Sequence, residues 1–267
     1  MEPTNDETDP PLPPVIEAAW GLRERAPKGP RPGLTLAGIV AAAVAVADAE
    51  GLGAVSMSRV AKELGAGTMA LYRYVGAKEE LLTLMVDAAY GEPPGPGGTG
   101  PDWRAGLARW SWAERAALQR HPWVVRVPVS GPPLTPHTLG WLEDGLRCLD
   151  GTGLTGSEKM SVMLLLTGYV RNEAQLMAQV QEASAASGRR MDEIMPEYSR
   201  LVARVADPAR FPALHAVIAA GVLERDDDPD EEFDFGLERL LDGVEALVTS
   251  RAADRGRPAT RRGRATG

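Results

Sequence analysis

The sequence predicts an all-α protein, on three observations. Apolar residues recur at helical spacing in nearly every patterned stretch, clusters of glycine and proline fall between those stretches, and no run alternates well enough to make a sheet. The one strand-like run, "WVVRVPV" at 123–129, contains Pro128 and has prolines on its flanks, which would interrupt a ladder. With 267 residues, 44% hydrophobic and 25% charged, the chain can bury a sizeable core in one or two domains.

Residues 1 to about 16 are mostly acids, prolines and threonines, which bury too little apolar surface to offset the entropy of ordering. The stretch "EAAWGLRERAPKGPRPG" carries Arg23, Arg25, Lys28 and Arg31, and its glycines and prolines allow no regular helix beyond Arg25. Residues 1–30 therefore read as a disordered, basic arm. A helix follows from Thr35 to Glu50, with Leu36, Ile39, Val40, Ala43, Val44 and Ala47 on one face and Gly51 and Gly53 at its end. Ser56 suits the N-cap of a helix over 57–64 that Gly65 stops. After the turn "GAG", a short helix over 68–75 and a longer one over 77–90 complete a first domain at 31–92. "GEPPGPGGTGP" breaks all periodicity, which makes 93–101 a linker.

Beyond it, Trp103, Leu107, Trp110 and Ala117 mark one helical face, and further helices are expected over 138–149, 157–186, the short "FPALHAVIAAG", and 231–252. These make a larger second domain at 102–250. The tail "RAADRGRPATRRGRATG" has six arginines, one aspartate and no apolar pattern, so 251–267 reads as disordered.

Composition excludes several functions. The 29 basic and 37 acidic side chains give a formal net charge of −8, so any contact with nucleic acid must be local. The acidic, proline-rich start lacks the features of an export signal. The longest apolar run, Leu36 to Ala49, is shorter than the roughly 20 residues a bilayer span needs and is interrupted by Asp48. A single cysteine, Cys148, suits a reducing cytoplasm, and its place mid-helix among apolar positions reads as structural. No i, i+4 histidine pair or cysteine cluster offers a metal site, and no glycine-rich elbow surrounds a serine, so neither a cofactor nor catalysis is expected.

The stretch "MSRVAKELGAGTMALYRYVGAKEELL", 57–82, carries the chemistry. Two short helices joined by a glycine turn, packed on a longer preceding helix, form a helix-turn-helix, whose second helix enters the major groove. Val60, Ala61, Leu64, Leu71 and Val75 supply a small apolar interface. Thr68, Met69, Ala70, Tyr72, Arg73 and Tyr74 remain outward, offering hydroxyl, methyl and guanidinium groups to base edges and phosphates, with no acid among them. Arg59, Lys62 and Lys78 bracket the unit with charges suited to phosphates. The competing reading places the same helices in an ordinary bundle, with Tyr72 and Tyr74 half-buried.

The motif "VSMSRVAKELGAGTMALYRYVGAKEELL", with Tyr72 directly after Leu71 and Lys78 four residues past Tyr74, resembles the DNA-binding signature of the TetR family of bacterial repressors. "LQRHPWVV", "LTPHTLGWLEDGLRCL" and "LLLTGYVRNEAQ" are similar to members whose C-terminal domain is of the tetracycline-repressor type. The resemblance implies that Thr68, Met69 and Ala70 face bases and that Tyr72, Tyr74 and Lys78 face phosphates. Ser58 stands where tetracycline repressors carry a base-reading arginine, which leaves the operator sequence open.

The same resemblance gives the second domain a small effector and a dimer contact. Trp103, Trp110, His121, His137, Trp141, Met163, Tyr169, Asn172 and Met177 combine aromatic walls with a few polar groups, as a ligand pocket does, though tryptophan and methionine at helical spacing also build cores. Phe233, Leu237, Leu240, Leu241, Val244 and Leu247 form a stripe on the last helix that is expected to pair with a second copy, the alternative being internal packing. The expectation that follows from the resemblance is a cytoplasmic, homodimeric regulator, a repressor that binds a palindromic operator with recognition helices roughly 34 Å apart and leaves it when a largely apolar molecule binds. A helical enzyme or small-molecule carrier, and a constitutive DNA-binding architectural protein, are the alternatives.

Overall fold

The computed structural model describes residues 11–22, 34–95, 102–129, 131–222 and 228–256. The described residues form eleven α-helices with short 3-10 turns and no strand. They fall into two compact units, 1–150 and 151–267.

In the first unit, helices α1 (Pro14–Ala19), α2 (Leu36–Glu50), α3 (Met57–Glu63), α4 (Thr68–Leu71), α5 (Lys78–Tyr90), α6 (Trp103–Arg120) and α7 (Pro136–Cys148) succeed one another. The Thr35 hydroxyl accepts the Gly38 N–H at 3.0 Å and caps α2. Ile39, Val40, Ala43, Val46 and Ala47 of α2 are buried, as are Leu81, Leu84, Met85 and Ala89 of α5, on which α2 packs. Each large aliphatic side chain so buried contributes about 1.5–3 kcal/mol, which is what lets helices of seven and four residues, α3 and α4, hold their places. Helices α6 and α7 approach closely at Gly106, where a Cβ would lie 3.0 Å from Cys148 Sγ. The strand-like run enters a 3-10 helix, Pro122–Arg126.

The second unit holds α8 (Gly156–Ser187), α9 (Met191–Val205), α10 (Pro212–Ala219) and α11 (Pro229–Gly256). A capping box starts α8: the Thr155 hydroxyl accepts the Glu158 N–H at 3.2 Å, and Glu158 Oε2 accepts the Thr155 N–H at 2.8 Å. Helix α11 packs on α8, with Tyr169 stacked on Phe233 at 5.3 Å between ring centres and donating its hydroxyl to the Phe233 carbonyl at 2.9 Å.

Three sequence expectations are corrected. Residues 14–19 form a helix although the stretch reads as disordered, because Pro14 starts it without losing a bond, Ile16 is buried, and the Trp20 indole donates to the Leu134 carbonyl at 2.8 Å. Residues 191–205 form α9 around an internal proline, Pro196, with no expected counterpart. Residues 251–256 continue α11 instead of starting a disordered tail, held by Arg251 on Glu158 and by Arg255 on the Thr152 carbonyl at 3.1 Å. The basic positions Arg23, Arg25, Lys28 and Arg31, and the tail from 257 to 267, lie outside the described residues.

Candidate nucleic-acid interface

Ser56 begins the site. Its hydroxyl accepts the Arg59 N–H at 3.1 Å and caps α3. At the other end the Ala66 N–H reaches the Ala61 carbonyl at 2.9 Å and the Gly65 N–H reaches the Lys62 carbonyl at 3.1 Å, the paired bonds of a Schellman turn. That turn needs a left-handed residue, and Gly65 supplies it with φ 61°. Its geometry reverses the chain into α4.

Helix α4 packs on α3, with Leu71 and, just past its end, Val75 fully buried and Val60 and Ala61 of α3 buried likewise. The expected helix over 68–75 closes earlier: after Leu71 the chain tightens into turns, in which the N–H groups of Tyr74 and Val75 both bond to the Leu71 carbonyl at 2.8 and 3.0 Å. With Leu71 and Val75 buried, the side chains on the opposite side of this segment turn outward. Met69 is 78% exposed and Tyr72 45%, large apolar areas for a surface of only a few residues. Arg73 is exposed beside them, and Thr68, Ala70 and Tyr74 are half-buried at the edges. The Gly76 N–H is taken by Glu80 Oε2 at 2.8 Å, which fixes the entry to α5 and leaves Lys78 exposed in its first turn. The surface so formed offers a cation, two phenols, a hydroxyl and methyl groups, without a carboxylate on α4.

Arg59, expected to face phosphates, is also engaged within the chain. Its guanidinium is bound by Glu50, through Nε at 3.1 Å and Nη2 at 2.6 Å, and by Glu63 at 2.7 Å, and both carboxylates push its pKa further up. Arg59 thus ties α3 to the end of α2. Ser58 is exposed, its hydroxyl 3.2 Å from that of Ser56.

Behind the reading helices, two carboxylates organise the rest of the unit. Asp48 of α2 lies 2.8 Å from His121 Nδ1 and accepts the Trp123 indole N–H at 2.7 Å. Asp87 of α5, itself buried, accepts the backbone N–H groups of His137 and Thr138 at 2.9 and 3.2 Å and stands 2.9 Å from His137 Nδ1. His121 and His137, expected among pocket-lining groups, are therefore held at helix ends by acids 73 and 50 residues away. The signal for Asp48 was visible as an acid in an otherwise apolar run; nothing in the sequence marked Asp87.

The remaining expected pocket residues divide between the units. Trp110 and Trp141 are buried and meet edge to face at 5.9 Å, with the Trp110 indole on the Trp141 carbonyl at 2.9 Å and the Trp141 indole on the Gly91 carbonyl at 3.0 Å. Trp103 is half-buried. In the second unit Met163 is buried, Tyr169 and Met177 are half-buried, and Asn172 is exposed. Sequence reasoning missed Ser111 and Asp144. Ser111 Oγ and Asp144 Oδ2 are buried without a hydrogen-bond partner, an arrangement that costs about 1–3 kcal/mol per group. Burial pushes the Asp144 carboxyl up, against the pull of Arg109.

The stripe expected at a dimer contact is largely covered in the single chain. Phe233, Leu237, Leu241 and Val244 are buried within the chain itself, facing the core that α11 shares with α8, while Leu240 and Leu247 are half-buried. A broad apolar stripe satisfies internal and external packing equally well on sequence, and within the single chain α8 covers four of its six residues. What α8 leaves outside is Met160, Leu164, Leu165 and Leu176, with Leu164 76% exposed, and α11 adds Phe235 at 62%.

Among the described residues no helix is long and apolar enough to cross a membrane. Residues 39–85 match the family model of bacterial regulatory proteins, tetR family, and residues 95–248 match that of the tetracyclin repressor-like C-terminal domain. The chain is 39% identical over 242 residues to the HTH-type transcriptional repressor DrrR1 of Streptomyces coeruleorubidus, covering 90% of this chain and 88% of the relative. An HTH-type transcriptional regulator of Saccharopolyspora erythraea is 29% identical over 232 residues, 86% of this chain and 92% of its own. Among solved structures, the Streptomyces coelicolor TetR family protein ActR in complex with actinorhodin superposes with a TM-score of 0.69 at 28% identity, covering 81% of this chain and 97% of that one.

Proposed function

The chain belongs to the TetR family of bacterial regulators, and from that premise we propose that it is a ligand-responsive transcriptional repressor, not an enzyme, that reads a palindromic operator with α4. The observation that carries the reading is the outward set on α4 and the turn after it: Met69, Tyr72 and Arg73 are exposed while Leu71 and Val75 are buried. Thr68, Met69 and Ala70 face bases. Tyr72, Tyr74 and Lys78 grip phosphates, with Ser58 at the margin and Arg73 as the cation of the recognition helix. The DNA-reading part spans 31–92, and the protein works in the cytoplasm, where its operator is.

The effector is a small molecule with an apolar body and hydrogen-bonding groups. ActR in its complex with actinorhodin supports a small-molecule effector for a chain of this fold. In this chain the buried Ser111 hydroxyl and Asp144 carboxyl are groups that such a ligand would satisfy, beside the apolar walls of Trp110 and Trp141. Two copies associate through the exposed face of α8, with Leu164 and Leu165, and Phe235 of α11, supported by the large apolar area left outside there.

Selection of duplexes from a random pool by the full-length protein, followed by gel-shift titration, tests the reading. A recovered palindrome bound specifically by wild type and not by Arg73→Ala supports it. Recovery of no sequence preference favours an architectural DNA-binding role, and turnover of a small molecule without DNA binding favours an enzyme or carrier.

A further inference from the structure

Helix α7 lacks a cap of its own. Thr135 occupies its N-cap position with its hydroxyl turned to Thr138 Oγ1 at 2.7 Å, and Pro136 carries no N–H, so the first donors of the helix are those of His137 and Thr138. Both donate to Oδ1 of Asp87, at 2.9 and 3.2 Å. The cap of α7 is thus a side chain of α5, the helix that follows the recognition helix by a single tight turn.

The contact is placed to transmit motion. Asp87 is 7% exposed, so a displacement of α7 relative to α5 strips a buried carboxylate of its donors and leaves helical N–H groups unmet. Other groups reinforce the junction: His137 Nδ1 stands 2.9 Å from Asp87 Oδ2, and His137 Nε2 3.6 Å from Glu92 Oε1. Three residues along α5, the Tyr90 hydroxyl reaches Glu114 Oε1 of α6 at 3.3 Å, and the Tyr90 ring meets Trp141 of α7 edge to face at 6.0 Å. At its other end α5 is seated by the Gly76–Glu80 bond that closes the turn out of the recognition segment.

We propose that Asp87 is the positioning residue that couples α7 to the DNA-reading helices, so that operator binding and the order of the first turn of α7 each favour the other. The proposal rests on the reading of the chain as an operator-binding repressor. Linkage is reciprocal: if the cap helps fix α5 in its DNA-bound position, bound DNA must in turn stabilise the cap.

Hydrogen exchange tests this without an effector. Full-length protein is labelled with and without the duplex it selects from a random pool, and exchange is followed in peptides covering 136–142. In wild type, DNA slows exchange there by about tenfold, the size of a typical N-cap contribution. In Asp87→Ala that protection disappears while protection over 57–75 persists; Asp87→Asn, which keeps an acceptor oxygen, restores it, and His137→Ala, which keeps the backbone donors, retains most of it. Equal protection of 136–142 in Asp87→Ala, or none in wild type, overturns the proposal. If Asp87→Ala does not fold, failure of Asp87→Asn to show protection that His137→Ala retains overturns it equally. Failure of wild type to select any duplex instead removes the regulator reading, and the inference with it.

Discussion

The Arg251 guanidinium donates through Nε to Glu158 Oε1 at 2.8 Å, so the last turns of α11 are tied to the carboxylate that closes the capping box of α8. Arg251 first, then the backbone and side chain of Thr155, hold the Glu158 carboxyl down at about 2, from an ordinary value of 4.5. A carboxyl whose folded value lies below its unfolded one stabilises the fold above the unfolded value, and the benefit fades as pH falls through the folded one. Wild type is therefore expected to melt above Glu158→Gln at pH 7, with the gap closing between pH 4.5 and about 2. Melting curves of the two proteins across that range check it; a gap that is constant with pH means that the carboxylate charge contributes nothing.

Under the proposed function, substitutions at Arg73 and at Arg59 should have different effects. Arg73→Ala and Tyr72→Ala remove exposed side chains from the turn that follows α4, so specific operator affinity is expected to fall at least tenfold with helix content and melting temperature unchanged. Arg59→Ala releases Glu50 and Glu63 and is expected to lower the melting temperature while changing operator affinity little. Gel shifts paired with thermal melts give both readouts; a large affinity loss in Arg59→Ala at unchanged stability would return Arg59 to the DNA contacts.

These two arginines also show where sequence reading stops. The helix-turn-helix was legible because its signals are local: the cap at Ser56, the glycine at 65 and the apolar spacing of Val60, Leu71 and Val75 all lie within 20 residues. Partners distant in sequence were not legible. Nothing near Arg59 announces that Glu50 will meet it, and His121 and His137 read as pocket groups until the fold brings Asp48 and Asp87 to them. The same holds for residues 251–256, whose arginines look solvated in isolation and become helix anchors only beside Glu158 and Thr152. The stripe on α11 was found correctly as a stripe, but periodicity cannot say which neighbour covers it.

Gly65 offers a test of the turn by itself. A Cβ at this position would meet no atom within 4 Å, so substitution adds no clash and leaves the φ of 61° as its cost. Gly65→Ala is expected to destabilise by about 1–2 kcal/mol, read from urea unfolding. Because the Schellman bonds set the direction of α4, operator affinity should fall with it; stability lost at unchanged affinity would mean that DNA restores the turn.

The dimer contact is the last matter, since one recognition helix reads too few base pairs to find its site among the competing sequence of a genome. Leu164 and Leu165 lie on the outer face of α8, and in the single chain they are exposed, so replacing both with glutamate removes nothing from the core. If a second copy covers them, Leu164→Glu with Leu165→Glu places two carboxylates from each chain in a desolvated seam, at a cost of several kcal/mol when they remain charged without partners. Light scattering should then report a monomer with wild-type helix content, and specific operator affinity should fall by about a thousandfold or more, to the non-specific level. Val244→Glu cannot serve in the same way, because Val244 is 4% exposed in the chain's own core and its loss would unfold the second unit. Phe235→Glu, on the exposed side of α11, provides the independent check, and its effect should match in sign. If the α8 double variant stays dimeric with full operator affinity, the apolar face of α8 is not where two copies meet.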